Sequence, residues 1–420
     1  MADCCSAPGL MPFAQALTTL LDSVQPISDV ETVQLADADL RVLAEPIVSP
    51  LNVPAHNNSA MDGYALCDGN LGTQKPGLNE FTLVGTALAG APFDGELKAG
   101  ECIRIMTGAV VPGSANAVVM QENVATINTT VGDTITLTQP AKLNSNIRLA
   151  GEDILEGNTV FHQGHQLNAV DVGLLSSLGI SAVRVIRKLK VAIFSTGDEL
   201  KMPGQTLLPG DIYESNSQVV IGLLNRMGFE VLDLGIIPDD YAQIKHAFLT
   251  ADQQADAVIS SGGVSVGDAD YTKDCLDELG NIGFWKVAMK PGKPFAFGKL
   301  PNSVFFGLPG NPVSATVTFH KLALPALLKM SAAPAQPALT LTAKVTQTLK
   351  KKPGRMDFQR GTVVNNEAGE LLVTPAPSQG SGILSSLSNA NCYIVLGQDS
   401  GDVPAGGDVV VELFDHLLGR

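Results

Sequence analysis

In residues 257–270 the chain reads AVISSGGVSVGDAD. Ala257, Val258 and Ile259 form a short apolar run of small and β-branched residues bounded by turn formers, the pattern of a buried strand. Ser260, Ser261, Gly262 and Gly263 end it. Small hydroxyls and glycines let the backbone turn sharply and leave N–H groups free to face an anion. Gly267 permits a second turn, and the carboxylates Asp268 and Asp270 follow. Tyr271, Cys275 and Leu279 then recur at helical spacing, with Gly280 as the stop. Strand, glycine loop, carboxylates and helix together suit a phosphate-bearing ligand that brings a cation.

Two familiar loops are excluded. Gly262 to Gly267 matches the glycine spacing of a P-loop, but Asp268-Ala269 stands where Lys-Ser/Thr is required. The glycines at 262, 263 and 267 do not make GxGxxG either. The competing reading is a tight turn into an acidic helix start, which the helix dipole favours by itself. The neighbouring segments decide between them.

Residues 190–312 read as a βαβ series. KVAIFSTGDEL is a strand ending at Thr196-Gly197-Asp198-Glu199, and a helix over 217–227 follows. EVLDLGIIPDD is a strand ending at Asp239-Asp240, with a helix over 241–252. FWKVAMKPGKPFAFGKL and NSVFFGLPGNP add strands, and an apolar stripe over 313–330 gives a last helix that Pro325 is expected to kink. Parallel sheets bind ligands at the carboxyl ends of their strands. Glu199, Asp239, Asp270 and the loop Leu308-Pro309-Gly310-Asn311-Pro312 each follow a strand, so a parallel sheet brings them to one rim. Lys286 and Lys290 are four apart, which in an extended segment puts both on one face. Pro291 and Pro294 stiffen the loop that presents Lys293.

The flanking segments are different. Residues 12–21 have helical spacing, as do 37–44, and a Pro- and Asn-rich loop runs to Met61-Asp62-Gly63-Tyr64. From 53 to 140, short β-branched runs alternate with Gly, Pro and Asn, and Thr107-Gly108 separates two of them. A helix over 168–178 has Asn168 as its N-cap and stops at Gly179. After an Ala- and Pro-rich linker at 332–337, the pattern is β again, a small barrel or sandwich of about 80 residues. Arg355, Arg360 and Ser381 in that unit suit an oxyanion, or equally a strand end facing water.

Composition bounds the function. The 420 residues are enough for about three domains. A net charge of −15 argues against a nucleic-acid or anionic-membrane partner. A local lysine cluster still outweighs a distant acidic surface for a small anion. The six cysteines form no CxxC pair and no zinc spacing, as expected of reduced thiols in the cytoplasm. No Lys or Arg precedes Arg41, so no signal-peptide n-region is expected, and no apolar run reaches transmembrane length.

Six segments in order, NSAMDGYA (58–65), RIMTGA (104–109), STGDEL (195–200), SSGGVSVGDADY (260–271), KPGKP (290–294) and LPGNPVSA (308–315), resemble the motifs of molybdopterin molybdenumtransferases. These are the molybdenum-insertion enzymes of molybdenum-cofactor synthesis, related to the E domain of gephyrin. The resemblance covers nearly the whole chain. It implies insertion of molybdate into adenylylated molybdopterin, with release of AMP and a requirement for Mg²⁺. It implies a homodimer with a site shared between subunits, and a transient contact with the molybdopterin adenylyltransferase that supplies the ligand. It also implies four units: a discontinuous α/β domain at 12–52 and 147–186, an inserted β domain at 53–146, a three-layer α/β domain at 187–332 and a C-terminal β-barrel at 337–420.

Site residues follow by motif. The resemblance gives catalytic roles to Asp62, Thr107, Glu199, Asp239, Asp270, Lys286 and Lys290, with Glu199, Asp239 and Asp270 on the metal. It gives substrate contacts to Ser261, Gly262, Gly263, Lys293, Pro309, Gly310 and Pro312, and the molybdate oxyanion to Arg360 and Ser381. Arginine and serine suit an oxyanion, and carboxylates hold Mg²⁺ with water and substrate phosphates completing its shell. One departure stands out: some relatives place more arginines after Arg148, where this chain has Leu149-Ala150. The alternatives are a molybdopterin adenylyltransferase, which resembles the α/β unit alone, a scaffold of the gephyrin type, and an unassigned α/β ligand binder.

Overall fold

The strand Lys190–Thr196 is buried along nearly its whole length, with Val191, Ala192, Ile193 and Phe194 inaccessible to solvent. A strand without polar alternation must be covered on both faces. The computed structural model describes residues 9–71, 73, 76–262, 271–335, 337–414 and 418, and it places this strand second in a six-stranded sheet. The order is Glu230–Ile237, Lys190–Thr196, Ala257–Ser261, Val304–Leu308, Pro294–Lys299, Asn281–Lys286. The first four strands are parallel, and Pro294–Lys299 is antiparallel to both its neighbours. Asn281–Lys286 therefore points the same way as the first four, and five strands end at one rim.

The pleat divides the apolar side chains between two layers. Val191, Ile193, Ile259 and Phe306 pack with Val220, Leu224 and Leu327 on one face. Ala192, Phe194, Val258 and Phe305 pack with Ile244, Phe248 and Leu276 on the other. The helix Asn216–Arg226 lies in the first layer, and Tyr241–Gln254 and Tyr271–Leu279 lie in the second. The N-terminal helix Phe13–Ser23 joins the first layer through Ala16 and Leu20.

Two helices depart from expectation. No helix spans 37–44; only a 3₁₀ turn, Leu35–Asp37, forms. Leu40 N–H donates to the Leu167 carbonyl at 2.8 Å and Leu43 N–H to that of His165 at 2.9 Å. Pairing with a distant segment replaces the local helical bonds, so tertiary context overrides propensity. The last helix is in three parts: α over Pro312–Thr318, a π turn over Phe319–Ala323, and α over Leu324–Met330. Pro325 has no N–H and its ring excludes the carbonyl of Lys321. A wider π turn, Phe319–Ala323, stands just before it and accommodates the missing bond.

Val30–Gln34 pairs with Ala182–Ile186 and Ile47–Val48 with Thr159–Phe161, all antiparallel. Between these partners in sequence lies a five-stranded sheet in the order Ala117–Met120, Gly63–Cys67, Glu101–Ile105, Glu80–Ala87, Thr134–Thr136. The helix Ala169–Ser177 starts in a capping box, where Asn168 accepts from Val170 N–H and Asp171 N–H while Asp171 accepts from Asn168 N–H.

At the C-terminus, Met356–Asn365, Leu371–Pro375, Thr340–Val345, Asp408–Leu413 and Cys392–Leu396 pair in that order, and the last pairs back with the first. The barrel is closed with five strands, which removes the sheet edges. One strand from outside joins it: Met289–Lys290, from the loop after Lys286, lies parallel to Met356–Asp357.

Candidate functional site

The carboxyl rim of the six-stranded sheet collects most of the expected residues. Gly197, at φ +143°, follows Lys190–Thr196, and the Glu199 carboxylate folds back over it. A Cβ at Gly197 would stand 2.6 Å from Glu199 Oε2, so glycine is what lets the carboxylate lie there. Asp239 follows the neighbouring strand, and its backbone N–H donates to Asp198 Oδ1 at 3.1 Å. Burial, then the charges of Asp198 and Glu199, push the Asp239 carboxyl above its ordinary value. Three carboxylates thus share one corner of the rim, and Asp198 was not expected among them. Among the described residues, no group of three or more His, Cys, Asp or Glu stands close enough to hold a metal by itself. Asp270 and Gly263 lie outside the described residues.

The next strand ends at Ser261 and Gly262. Gly262 has φ +89°, and a Cβ there would stand 2.7 Å from the Thr196 carbonyl oxygen. Only glycine fits. Its N–H donates to the Leu308 carbonyl at 3.2 Å. One of the N–H groups of the turn expected to face an anion is therefore already used, in holding the loop to the neighbouring strand.

Asn216, at the start of the helix Asn216–Arg226, ties this corner together. Its Nδ2 donates to Ser261 Oγ and to the Gly310 carbonyl, both at 2.8 Å. The buried Glu214 carboxylate accepts from Ser195 Oγ at 3.1 Å, from Ser217 N–H at 2.7 Å, and from Ser217 Oγ. Neither residue follows a strand of the six-stranded sheet, which is why a reading based on the ends of those strands misses them. The signal available was the polar cluster Glu214-Ser215-Asn216-Ser217 at a helix start.

Pro309 is buried, Gly310 exposed, and Pro312 begins the next helix. That helix start meets the barrel: Val313 N–H donates to the Ser381 carbonyl at 2.9 Å. Arg360, read either as an oxyanion ligand or as a strand-end residue facing water, is 1 % exposed, which rules out the second of these. Its Nε donates to Ser386 Oγ at 3.1 Å and its Nη2 to the Gly380 carbonyl at 3.3 Å. Gln379 brackets its backbone, accepting from Arg360 N–H at 2.9 Å and donating to its carbonyl at 2.8 Å. Burial lowers the guanidinium from its ordinary value, against the opposing charge of Asp357. The structure thus brings Arg360, Ser381 and the Pro309–Gly310–Pro312 loop to one junction.

The lysines divide. Lys286 ends Asn281–Lys286 at the rim, opposite Pro294. Lys290 lies on the short strand attached to the barrel and pairs with Asp357 at 3.2 Å. The two are therefore on different sheets, not on one face of a single extended segment, because the chain leaves the sheet at Val287. Lys293 is half-buried, and its carbonyl accepts from Val287 N–H at 2.9 Å.

Asp62 and Thr107 form a separate pair. Asp62 Oδ1 accepts from Thr107 N–H at 2.7 Å and from Thr107 Oγ1 at 2.8 Å. These bonds, with the charge of Arg104, hold the exposed Asp62 carboxyl below its ordinary value. Among the described residues, no hydrogen bond or ion pair joins this pair to the rim of the six-stranded sheet.

Comparison with known proteins covers the chain in three parts. Residues 11–179 match the MoeA N-terminal region (domain I and II), 192–329 a probable molybdopterin binding domain, and 342–414 the MoeA C-terminal region (domain IV). The chain is 46 % identical over 411 residues to a molybdopterin molybdenumtransferase of Haemophilus influenzae, covering 98 % of this chain and 100 % of that one. It is 32 % identical over 389 residues to that of Bacillus subtilis, covering 92 % and 90 %. The crystal structure of the molybdopterin biosynthesis moeA protein from Pyrococcus horikoshii superposes with a TM-score of 0.81 at 32 % identity, covering 96 % of this chain and all of that one.

Proposed function

The chain belongs to the molybdopterin molybdenumtransferase family of molybdenum-cofactor biosynthesis, and on that premise we propose that it inserts molybdate into adenylylated molybdopterin, releasing AMP. The observation that carries the proposal is the junction of sheet rim and barrel. Val313 N–H bonds the Ser381 carbonyl there, beside the Pro309–Pro312 loop and the buried Arg360. Cationic and hydroxyl groups for an oxyanion stand on one side, and the Asp198, Glu199 and Asp239 carboxylates belong to the same rim.

These groups divide the work. Lys286, Lys290 and Lys293 neutralise the charge that grows on the pyrophosphate as water forms a bond to one phosphorus and the bridging P–O bond breaks, releasing AMP. Arg360 and the Ser381 hydroxyl orient the molybdate dianion for capture by the dithiolene. The Asp198, Glu199 and Asp239 corner would hold Mg²⁺ through one or two of its carboxylates, with water and substrate phosphates completing the shell. When bound there, the ion would polarise a phosphoryl oxygen. The same reading includes a homodimer in which the Asp62–Thr107 pair of one subunit completes the other's site. Hand-over of the ligand from an adenylyltransferase is part of the same reading, as is a cytoplasmic location. No helix among the described residues is long and apolar enough to cross a membrane.

The test is incubation with adenylylated molybdopterin, molybdate and Mg²⁺. AMP and molybdenum cofactor should appear together, and EDTA should stop both until Mg²⁺ is restored. Formation of adenylylated ligand from molybdopterin and ATP, without insertion, would instead mark an adenylyltransferase.

A further inference from the structure

We propose that Asp357 is a positioning residue for Lys290, holding its ammonium at the junction of the six-stranded sheet and the barrel; this rests on reading Lys290 as a substrate-facing group. Asp357 is 4 % exposed. Its Oδ2 accepts from Lys290 Nζ and from Gln359 Nε2, each at 3.2 Å. The backbone sets this up: Lys290 and Asp357 are register partners, and Met356 N–H donates to the Ala288 carbonyl at 2.8 Å. The far side of the loop is fixed too. Gly292 has φ +99°, and a Cβ there would stand 2.1 Å from Thr318 Oγ1.

The charges explain why a carboxylate is needed. Asp357 faces Lys290, Lys351 and Arg360, and Lys351 in turn feels the like charge of Lys290. Lys351 donates to the carbonyls of Lys352, Gln398 and Ser400 at 3.1, 3.2 and 3.1 Å, and Arg360 bonds Ser386 and Gly380. Lys351 thus has three backbone acceptors in the barrel, and two nitrogens of the Arg360 guanidinium are anchored there. Lys290 keeps 44 % of its side chain exposed. An ammonium has three donors, so Asp357 occupies one and leaves others for an incoming anion. Without Asp357, repulsion from Lys351 drives Lys290 away from the junction.

Insertion rates of the full-length protein test this, with Mg²⁺, molybdate and adenylylated molybdopterin, for wild type, Asp357→Asn, Lys290→Met and the double variant. Asp357→Asn should lower kcat by about tenfold or more, as misplacing a site group does, with less effect on KM. The double variant should be no worse than Lys290→Met alone, because Asp357 acts only through Lys290. Additive losses would make Asp357 a structural residue and overturn the proposal. A second readout does not depend on activity: acetylation of Lys290 by acetic anhydride, followed by mass spectrometry. Asp357→Asn should acetylate several-fold faster there than wild type, and equal rates overturn the proposal even if insertion is never observed. Should Asp357→Asn fail to fold, Asp357→Glu keeps the charge and moves it by one methylene. It should shift the Lys290 acetylation rate, and an unchanged rate again overturns the proposal.

Discussion

Single residues at the rim separate charge from shape. Asp239 is raised because its charged form is disfavoured in the fold. A carboxyl that binds its proton more tightly when folded contributes stability fully present below the unfolded value, about 4, and lost as pH rises through the folded value. Asp239→Asn, neutral at every pH, should therefore be more stable than wild type at pH 7. The gain should stay under about 1 kcal/mol, since an exposed charge is screened, and should close as pH falls toward 3. A gap of equal size at both pH values would remove charge as its cause. Added Mg²⁺ should raise the melting temperature of wild type by mass action and that of the variant much less. Two glycines make the opposite comparison. Gly262→Ala forces a side chain onto a left-handed backbone and against the Thr196 carbonyl. It should cost more than about 1 kcal/mol in chemical denaturation. Gly310→Ala meets nothing within 4 Å, so its denaturation midpoint should not move, and any lost turnover belongs to the site.

At the scale of elements, what the sequence makes readable is what repeats. The strand Lys190–Thr196 and its neighbours are marked by apolar runs and turn residues, and a residue such as Glu199 or Asp239 is found because it follows one. Asn168 is found as a cap for the same local reason. What escapes is settled between distant segments. The pairing of Leu40 and Leu43 with 165–167 leaves no periodic trace, and neither does the attachment of Met289–Lys290 to the barrel, which parts Lys290 from Lys286. Arg360 has no local signal for burial, because its partners Gly380 and Ser386 lie about 20 residues away or more. Asn216 is the sharpest case, a helix-start residue whose side chain joins two other loops. Asn216→Ala removes hydrogen bonds to Ser261 and Gly310 together. Each is worth about 1 kcal/mol net, so stability should fall by about 2 kcal/mol. Because the Gly310 loop loses its tie to the Ser261 strand end, insertion should slow as well. A normal rate at unchanged substrate affinity would show that this tie does not position the site.

At the scale of the whole molecule, Asp62 and Thr107 stand beside the strands Gly63–Cys67 and Glu101–Ile105 of the five-stranded sheet and bond each other, and the remaining proposed site lies on the six-stranded sheet and the barrel. In the proposed homodimer, the pair of one chain completes the rim of its partner. That arrangement makes a prediction that a self-contained site does not. Asp62→Ala and Glu199→Ala proteins should each be inactive alone. Mixed and allowed to exchange subunits, they form dimers with one cleft carrying both lesions and one carrying neither. For random pairing in a two-fold dimer with independent clefts, half the dimers are mixed and half their clefts are intact, so activity should return to about a quarter of wild type. Mixing Glu199→Ala with Asp239→Ala is the control. Both residues stand on the same rim, 3.1 Å of hydrogen bond from Asp198 linking that corner, so no cleft is repaired and no activity should return. Recovery in the control would mean that the rim itself is divided between subunits. Exchange proven by mass spectrometry with no recovery in the Asp62–Glu199 mixture would mean that each chain completes its own site, through a movement that carries the five-stranded sheet to its own rim.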